Sequence, residues 1–341
     1  MYPTARIRKS AVHAALAALI LCSLFGAACQ KKPVQRTKTG FYFDTVITIT
    51  LYQDADDSVF EECFAIADKY EKLFSATIPS SEISQINRAG GAGVTVSDDT
   101  ASLLQKGLTY CELSDGGFDI TIGTLSSLWD FSAPDNPPPD KAAIARAVST
   151  VDYRRVKLEG NHVTLFNPDA AIDLGGIAKG YIADRMKERL NELGVTQGTV
   201  NLGGNVLCLG PKPDGESYRI GIQMPFEQQG VAAAVVEVTD QAVVSSGTYE
   251  RYITEGDTVY HHILNPATGY PYENGLLSVS IICASSADAD GLSTACFALG
   301  RTEGLKLIES LPETEAVFIT KDRKFYCSSG IGTDIPFEPL Y

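Results

Sequence analysis

Between Ser285 and Phe297 the chain reads Ser-Ser-Ala-Asp-Ala-Asp-Gly-Leu-Ser-Thr-Ala-Cys-Phe, small and apolar residues carrying two carboxylates and several hydroxyls. Read as a helix, the segment sets Asp290 and Thr294 four residues apart on one face, so both oxygens point the same way. Its composition is that of a buried segment, and a buried carboxylate is costly unless a cation or hydrogen-bond donors satisfy it. A hard divalent cation such as magnesium takes oxygen ligands of this kind and keeps positions open for a phosphate. The competing reading makes Asp288 and Asp290 capping residues, satisfied by free N–H groups at the start of the helix.

A second segment, Ala171-Ile172-Asp173-Leu174-Gly175-Gly176-Ile177-Ala178-Lys179-Gly180-Tyr181, ends a strand-like stretch in paired glycines and then starts a helix. Two glycines let the backbone approach a ligand closely, with helix N–H groups behind them. The spacing is neither a Walker motif nor a dinucleotide fingerprint, and a tight turn with no ligand explains it as well. A further glycine turn stands at Asn201-Leu202-Gly203-Gly204-Asn205. His261 and His262 close a predicted strand, where neighbours face opposite ways, so at most one of them faces a common site. A surface pair is the ordinary alternative.

These segments need a scaffold. Alternation predicts a strand over 41–52, and apolar spacing from Val59 to Phe74 predicts a helix. Further helices are expected near 98–113, 140–149, 177–193 and 302–311. A hairpin turns at Glu159-Gly160-Asn161, and strands are expected near 218–223, 231–238, 242–246, 276–283, 315–320 and 324–328. The class is α+β, with mixed sheets and packed helices. Asn136-Pro137-Pro138-Pro139-Asp140 reads as a surface loop near a site.

The start of the chain reads as a targeting device: basic Arg6, Arg8 and Lys9, an apolar run from Ala14 to Phe25, then Gly26-Ala27-Ala28-Cys29. This is the pattern of a bacterial lipoprotein signal over 1–28, with Cys29 lipidated and residues 29–40 a polar tether. The apolar run is short for a bilayer span, which disfavours an uncleaved anchor. A lipoprotein on the periplasmic side of a bacterial membrane is expected, the outer membrane in preference to the inner. The remainder, residues 41–341, is long enough for one large domain or two intimate ones. A formal charge of −14 argues against nucleic acid as a partner. Cys63, Cys111, Cys208, Cys283, Cys296 and Cys327 are scattered without a CxxC pair. They read as buried thiols, with disulfides the alternative in an exported protein.

Seven segments in order resemble the ApbE family, the FAD:protein FMN transferases. They are Ser81–Asn87, Gly117–Thr121, Asp173–Gly180, Asn201–Asn205, Ser245–Arg251, His262–Pro266 with Thr268-Gly269, and Ala289–Thr294. The resemblance covers about Phe43 to Thr320. It implies an ApbE-like (T-fold-like) flavin transferase fold, with FAD in a cleft between two subregions. It further implies magnesium-dependent splitting of FAD, with FMN joined through a phosphoester to a threonine or serine of a redox membrane protein and AMP released. On that pattern the metal is held by the Gly176 carbonyl, Asp290 and Thr294. FAD is contacted by Phe43, Phe118, Asp119, Ile120, Asp173, Lys179, His262, Ile263 and Leu264. The family's methionine-glycine start is Phe43-Asp44 here, and its ring-stacking tyrosine falls at Thr77.

Phosphoryl transfer asks for alignment and charge neutralisation, plus a base for the acceptor hydroxyl. His262 has a suitable intrinsic pKa for that base, and Asp290 is the other candidate. Two rivals use the same residues: a magnesium-dependent FAD pyrophosphatase giving FMN and AMP, and a flavin-binding lipoprotein without turnover. The second would have no need of the oxygen pair at Asp290 and Thr294.

Overall fold

The computed structural model describes residues 34–341. The leader and Cys29 lie outside the described residues. An eight-stranded sheet runs in chain order: β1 (Arg36–Tyr42), β2 (Thr45–Leu51), β3 (Gly198–Leu202), β4 (Asn205–Leu209), β5 (Ala242–Gly247), β6 (Leu276–Cys283), β7 (Glu315–Thr320) and β8 (Phe325–Cys327). Each strand pairs antiparallel with the next, so the sheet is one meander into which other elements are inserted.

Period-two alternation sends neighbouring side chains to opposite faces, and here both faces are covered. Ile47, Ile49, Leu51, Val244, Ile281 and Phe318 join the core under the helices. Val243, Ile282, Val317 and Ile319 join a second core with Tyr218, Ile222, Val236 and Val238. The last four belong to a three-stranded antiparallel sheet made by Tyr218–Gln223, Ala232–Val238 and Phe337–Pro339. Strands buried on both faces explain the near-continuous apolar run Leu276–Cys283.

The helical layer contains α1 (Asp57–Phe74), α2 (Glu82–Arg88), α3 (Asp98–Leu113), α4 (Ala178–Glu192) and α5 (Ser286–Glu309). Ser81 and Ser97 cap α2 and α3 by accepting from the N–H of Ser84 and Thr100. α5 breaks at Gly300, whose φ of 75° and ψ of 175° leave the helical region, so the helix expected at 302–311 is its second half. A third small core gathers Leu125, Trp129, Ile144, Ala147, Ile253 and Leu264.

Two expectations about the start of the domain change. The strand predicted over 41–52 is a hairpin, turning at Phe43 (φ 53°) and Asp44 (φ 54°). Such two-residue turns usually carry glycine or asparagine, so the chain offers no ordinary turn signal there. β1 begins at Arg36, inside the stretch read as tether, because its alternating polar residues are paired with β2 from Arg36↔Leu51 to Tyr42↔Thr45. The six cysteines among the described residues are unbridged, and five are buried. No helix among the described residues is long and apolar enough to cross a membrane.

Candidate active site

The starts of α4 and α5 meet because Gly180 has no side chain: a Cβ there would fall 2.2 Å from the Ser286 carbonyl oxygen. At this crossing each helix supplies a carboxylate to the other. Asp184 of α4 accepts from the N–H of Ser286 (2.8 Å) and of Ala287 (2.9 Å), and from the Ser285 hydroxyl (2.9 Å). Asp290 of α5 accepts from the Gly180 N–H at 2.9 Å through Oδ2. Its Oδ1 lies 3.9 Å from the Lys179 ammonium.

Capping therefore takes a different form from the one expected. The α5 terminus is closed by Ser285 and Asp184, and Asp288 is held by Lys106 (2.5 Å) and Tyr110 (2.7 Å). Asp290, only 4% exposed, caps the neighbouring helix instead of its own. Its intrahelical partner Thr294 lies half-buried one turn on, where the Ser246 hydroxyl of β5 is 3.0 Å from Thr294 Oγ1 and 2.7 Å from Ser293 Oγ.

The glycine turn completes the group. Asp173 shapes it, accepting from the Gly175 N–H at 2.8 Å and from the Ser126 hydroxyl at 2.7 Å. Lys179 donates to the Gly175 carbonyl at 3.1 Å, folding back over the turn. A Cβ on Gly176 would stand 2.9 Å from the Phe118 ring, which would have to shift, and at an ordinary contact distance of 3.6 Å from Thr294 Oγ1. Gly176, Lys179, Asp290 and Thr294 are thus brought together, with Phe118 as one wall.

The remaining site candidates divide by what their side chains do. Asp119 is buried and fully engaged, accepting from the N–H and hydroxyl of Thr121 and from the Tyr153 N–H. Burial pushes its carboxyl above the ordinary range against those donors. Ile120, Ile263 and Leu264 have buried side chains in the helical and small cores, and the backbone N–H and carbonyl of Ile120 and of Ile263 are hydrogen-bonded within the protein. Phe43 stands at the hairpin tip, its N–H bonded to Glu71 at 2.7 Å, with no hydrogen bond or ion pair to the Asp290 group. Thr77 binds the Ser75 hydroxyl at 3.0 Å and offers no ring.

The two histidines part company as strand geometry requires. His261 is a core residue, 7% exposed, with Nε2 3.0 Å from the Tyr272 carbonyl and Nδ1 accepting from the Ile263 N–H at 3.3 Å. The surface-pair reading therefore does not apply to His261, and burial lowers its pKa to about 4. His262 is half-buried, with Nδ1 3.2 Å from the Arg251 carbonyl oxygen. That contact assigns the proton to Nδ1 and leaves Nε2 as an acceptor. Burial, His261 and the Lys179 and Arg251 charges lower its pKa to about 3, so the ring is neutral at physiological pH.

Sequence reasoning assigned no role to Ser246, Asp184, Phe131 or Glu250. Phe131 meets the His262 ring edge-on (centroids 6.5 Å apart) and stacks on Trp129. Glu250 follows the Ser246 strand and feels the charges of Lys179 and Asp290. The Ser245–Arg251 segment was visible as a motif, but nothing in it distinguishes a strand end from a site wall. A groove of about 540 Å³ beside the smaller sheet, lined by Thr48, Thr50, Thr199, Asn201, Lys212 and Gln223, contains none of these groups.

Comparisons with known proteins show the family. Residues 43–318 match the model of the ApbE family. The chain belongs to the ApbE family. It is 32% identical over 332 residues to the FAD:protein FMN transferase of Treponema pallidum, covering 92% of each chain. To that of Klebsiella pneumoniae it is 34% identical over 297 residues, covering 86% of this chain and 91% of the relative. Among solved structures, the flavin transferase ApbE from Vibrio cholerae superposes with a TM-score of 0.78 at 28% identity, covering 87% of this chain and 97% of the other. The ApbE protein from Thermotoga maritima gives the same TM-score at 30% identity. The α+β class and the family expected from the sequence both stand.

Proposed function

We propose that this chain is an FAD:protein FMN transferase, joining the FMN half of FAD to a threonine or serine hydroxyl of a redox membrane protein and releasing AMP. The observation that carries the reading is the meeting of Asp290, Thr294, Ser246 and the Gly176 backbone at the N-terminus of α4, with Lys179 beside them. A helix N-terminus and a lysine favour an anion such as a pyrophosphate. An acidic chain can bind such a substrate only where positive potential is local, and here it is.

The same group fits magnesium by its donor chemistry. A carboxylate, two hydroxyls 3.0 Å apart and a backbone carbonyl are hard oxygen donors. Asp290, Thr294 and the Gly176 carbonyl would hold the ion. When bound, it supplies neutralisation of charge on the phosphate oxygens. Among the described residues no three His, Cys, Asp or Glu side chains gather, so phosphate and water would complete the coordination. Lys179 draws the pyrophosphate toward the α4 terminus, and Asp173 keeps the glycine turn in the shape that admits it. Phe118, Phe131 and His262 offer flat surfaces for the rest of FAD.

Cys29 would carry a lipid anchor and keep the domain on the periplasmic side of a bacterial membrane, the outer membrane in preference to the inner. Cys29→Ser then moves the protein from the membrane fraction to the soluble one, and an unchanged membrane fraction rejects the anchor. Function is tested by mass spectrometry of an acceptor protein incubated with the enzyme, FAD and magnesium. The expected product is an acceptor heavier by FMN less water, with one AMP per flavin attached. Free FMN as the sole flavin product, with a competent acceptor present, would support the hydrolase instead.

A further inference from the structure

The family segment Ser81–Asn87 lies outside the Asp290 group, yet it ends against the extended stretch that leads into the glycine turn. It forms α2, whose seven residues are too few to hold a helix unaided. Its neighbours hold it instead. Ile83 and Ile86 are buried in the helical core. The Ser84 hydroxyl donates to the carbonyl of Ser75, the residue that ends α1, at 3.2 Å. The Glu82 carboxylate accepts from the N–H and hydroxyl of Ser97, the cap of α3, at 3.0 and 2.8 Å.

At its far end this anchored helix presents Asn87. The side-chain amide meets both backbone groups of one residue: Oδ1 accepts from the Ile172 N–H at 2.7 Å, and Nδ2 donates to the Ile172 carbonyl at 2.9 Å. On its other side the stretch Ala171–Asp173 is bonded to the segment that contains Phe118, Asp119 and Ile120. The Gly123 N–H donates to the Ala171 carbonyl at 2.8 Å, and the Asp173 N–H donates to the Ile120 carbonyl at 2.8 Å. Successive residues of an extended chain turn their backbone groups to opposite sides, so those of Ile172 face away from that segment. Asn87 stands where a further strand would be. Ile172 is 0% exposed, so without Asn87 its N–H and carbonyl lose their partner with no water to replace it.

We infer that Asn87 is a positioning residue for FAD and magnesium: by fixing Ile172 it sets where Asp173 and the Gly176 carbonyl stand. The inference rests on the reading of this turn as part of the FAD and metal site. Asp173 follows Ile172 directly and shapes the turn through the Gly175 N–H and the Ser126 hydroxyl. A displacement of about 1 Å in such a support can cost about 100-fold where groups must be aligned. Asparagine offers an acceptor and a donor side by side; an ionised aspartate keeps only acceptors and alanine keeps neither.

The test compares wild type, Asn87→Asp, Asn87→Ala and Ile83→Val at a temperature below their melting transitions. Three quantities are measured: FAD affinity by titration with FAD alone, the magnesium concentration for half-maximal transfer, and the melting temperature. Ile83→Val loosens the same helix one turn earlier without removing a bond to Ile172. Its melting temperature should fall while FAD affinity and the magnesium curve stay at wild type. In both Asn87 variants the FAD dissociation constant and the half-saturating magnesium should rise about 10–100-fold. If Asn87→Ala does not stay folded, the isosteric Asn87→Asp decides alone. Asn87 variants with a lowered melting temperature but wild-type FAD affinity and magnesium curve overturn the inference and leave the residue structural. Equal losses in Ile83→Val overturn it as well, because any loosening of α2 would then suffice. The transferase reading fails separately, when wild type releases only free FMN beside a competent acceptor. FAD affinity still judges Asn87 in that case, and the magnesium titration then follows FMN release.

Discussion

α4 and α5 begin against one another, and each receives an aspartate from the other, yet the two termini are not alike. At α5, Asp184 takes two backbone N–H groups and a hydroxyl, and Ser285 takes the Asp288 N–H. That end is closed. At α4, the N-cap residue Ile177 has no side-chain acceptor, and Asp290 takes one N–H with one oxygen. Its other oxygen, the lysine and the paired glycines remain at the surface of the site. The same capping chemistry can thus seal a helix or leave a charged, ligand-ready terminus, and the number of donors engaged tells which.

Substituting the two aspartates should break this comparison in opposite ways. Asp290→Asn keeps the shape and one acceptor but removes the charge that would hold a divalent cation. Transfer should fall by 10³-fold or more (on the order of one lost electrostatic stabiliser plus the lost metal) with little change in melting temperature. Asp184→Ala should do the reverse. It leaves two N–H groups at a buried helix start without their acceptor, costing about 2–4 kcal/mol of stability. The surviving folded fraction should keep most of its turnover. Thermal unfolding and transfer rates on both variants decide the matter, and equal stability losses would mean that both carboxylates are structural.

That distinction was only half legible in the sequence. Helical spacing foretells Asp290 and Thr294 on one face, and the boundaries expected for α3 and for β6 match those observed. Local pattern carries these features because each follows from a period within one element. Asp184 shows no such signal: it lies inside a helix, and its partners are 101 to 103 residues away. His261 is misread for a related reason: its partner carbonyl at Tyr272 arrives by a turn through Asn265 and Tyr270 that alternation cannot foresee. The β1–β2 hairpin is hidden because Phe43-Asp44 takes up left-handed backbone without glycine.

The smallest effect should come from the hydroxyls, and it sharpens what the open terminus does. Thr294→Val preserves the branched shape and removes only Oγ1, which lies 3.0 Å from Ser246 Oγ. Were that hydroxyl purely structural, its loss would cost about 0.5–1.5 kcal/mol of stability and leave the metal dependence of transfer unchanged. As one neutral ligand among several, replaceable by water, it should instead raise the magnesium concentration needed for half-maximal rate by about 10-fold, with saturated rate reduced less. Ser246→Ala, one atom farther from the proposed cation in the hydrogen-bond chain, should give a smaller shift in the same direction. Magnesium titrations of the transfer rate separate these cases. A valine variant with reduced stability but a wild-type magnesium curve would return Thr294 to the helix packing and leave Asp290 with the Gly176 carbonyl as the protein's part of the site.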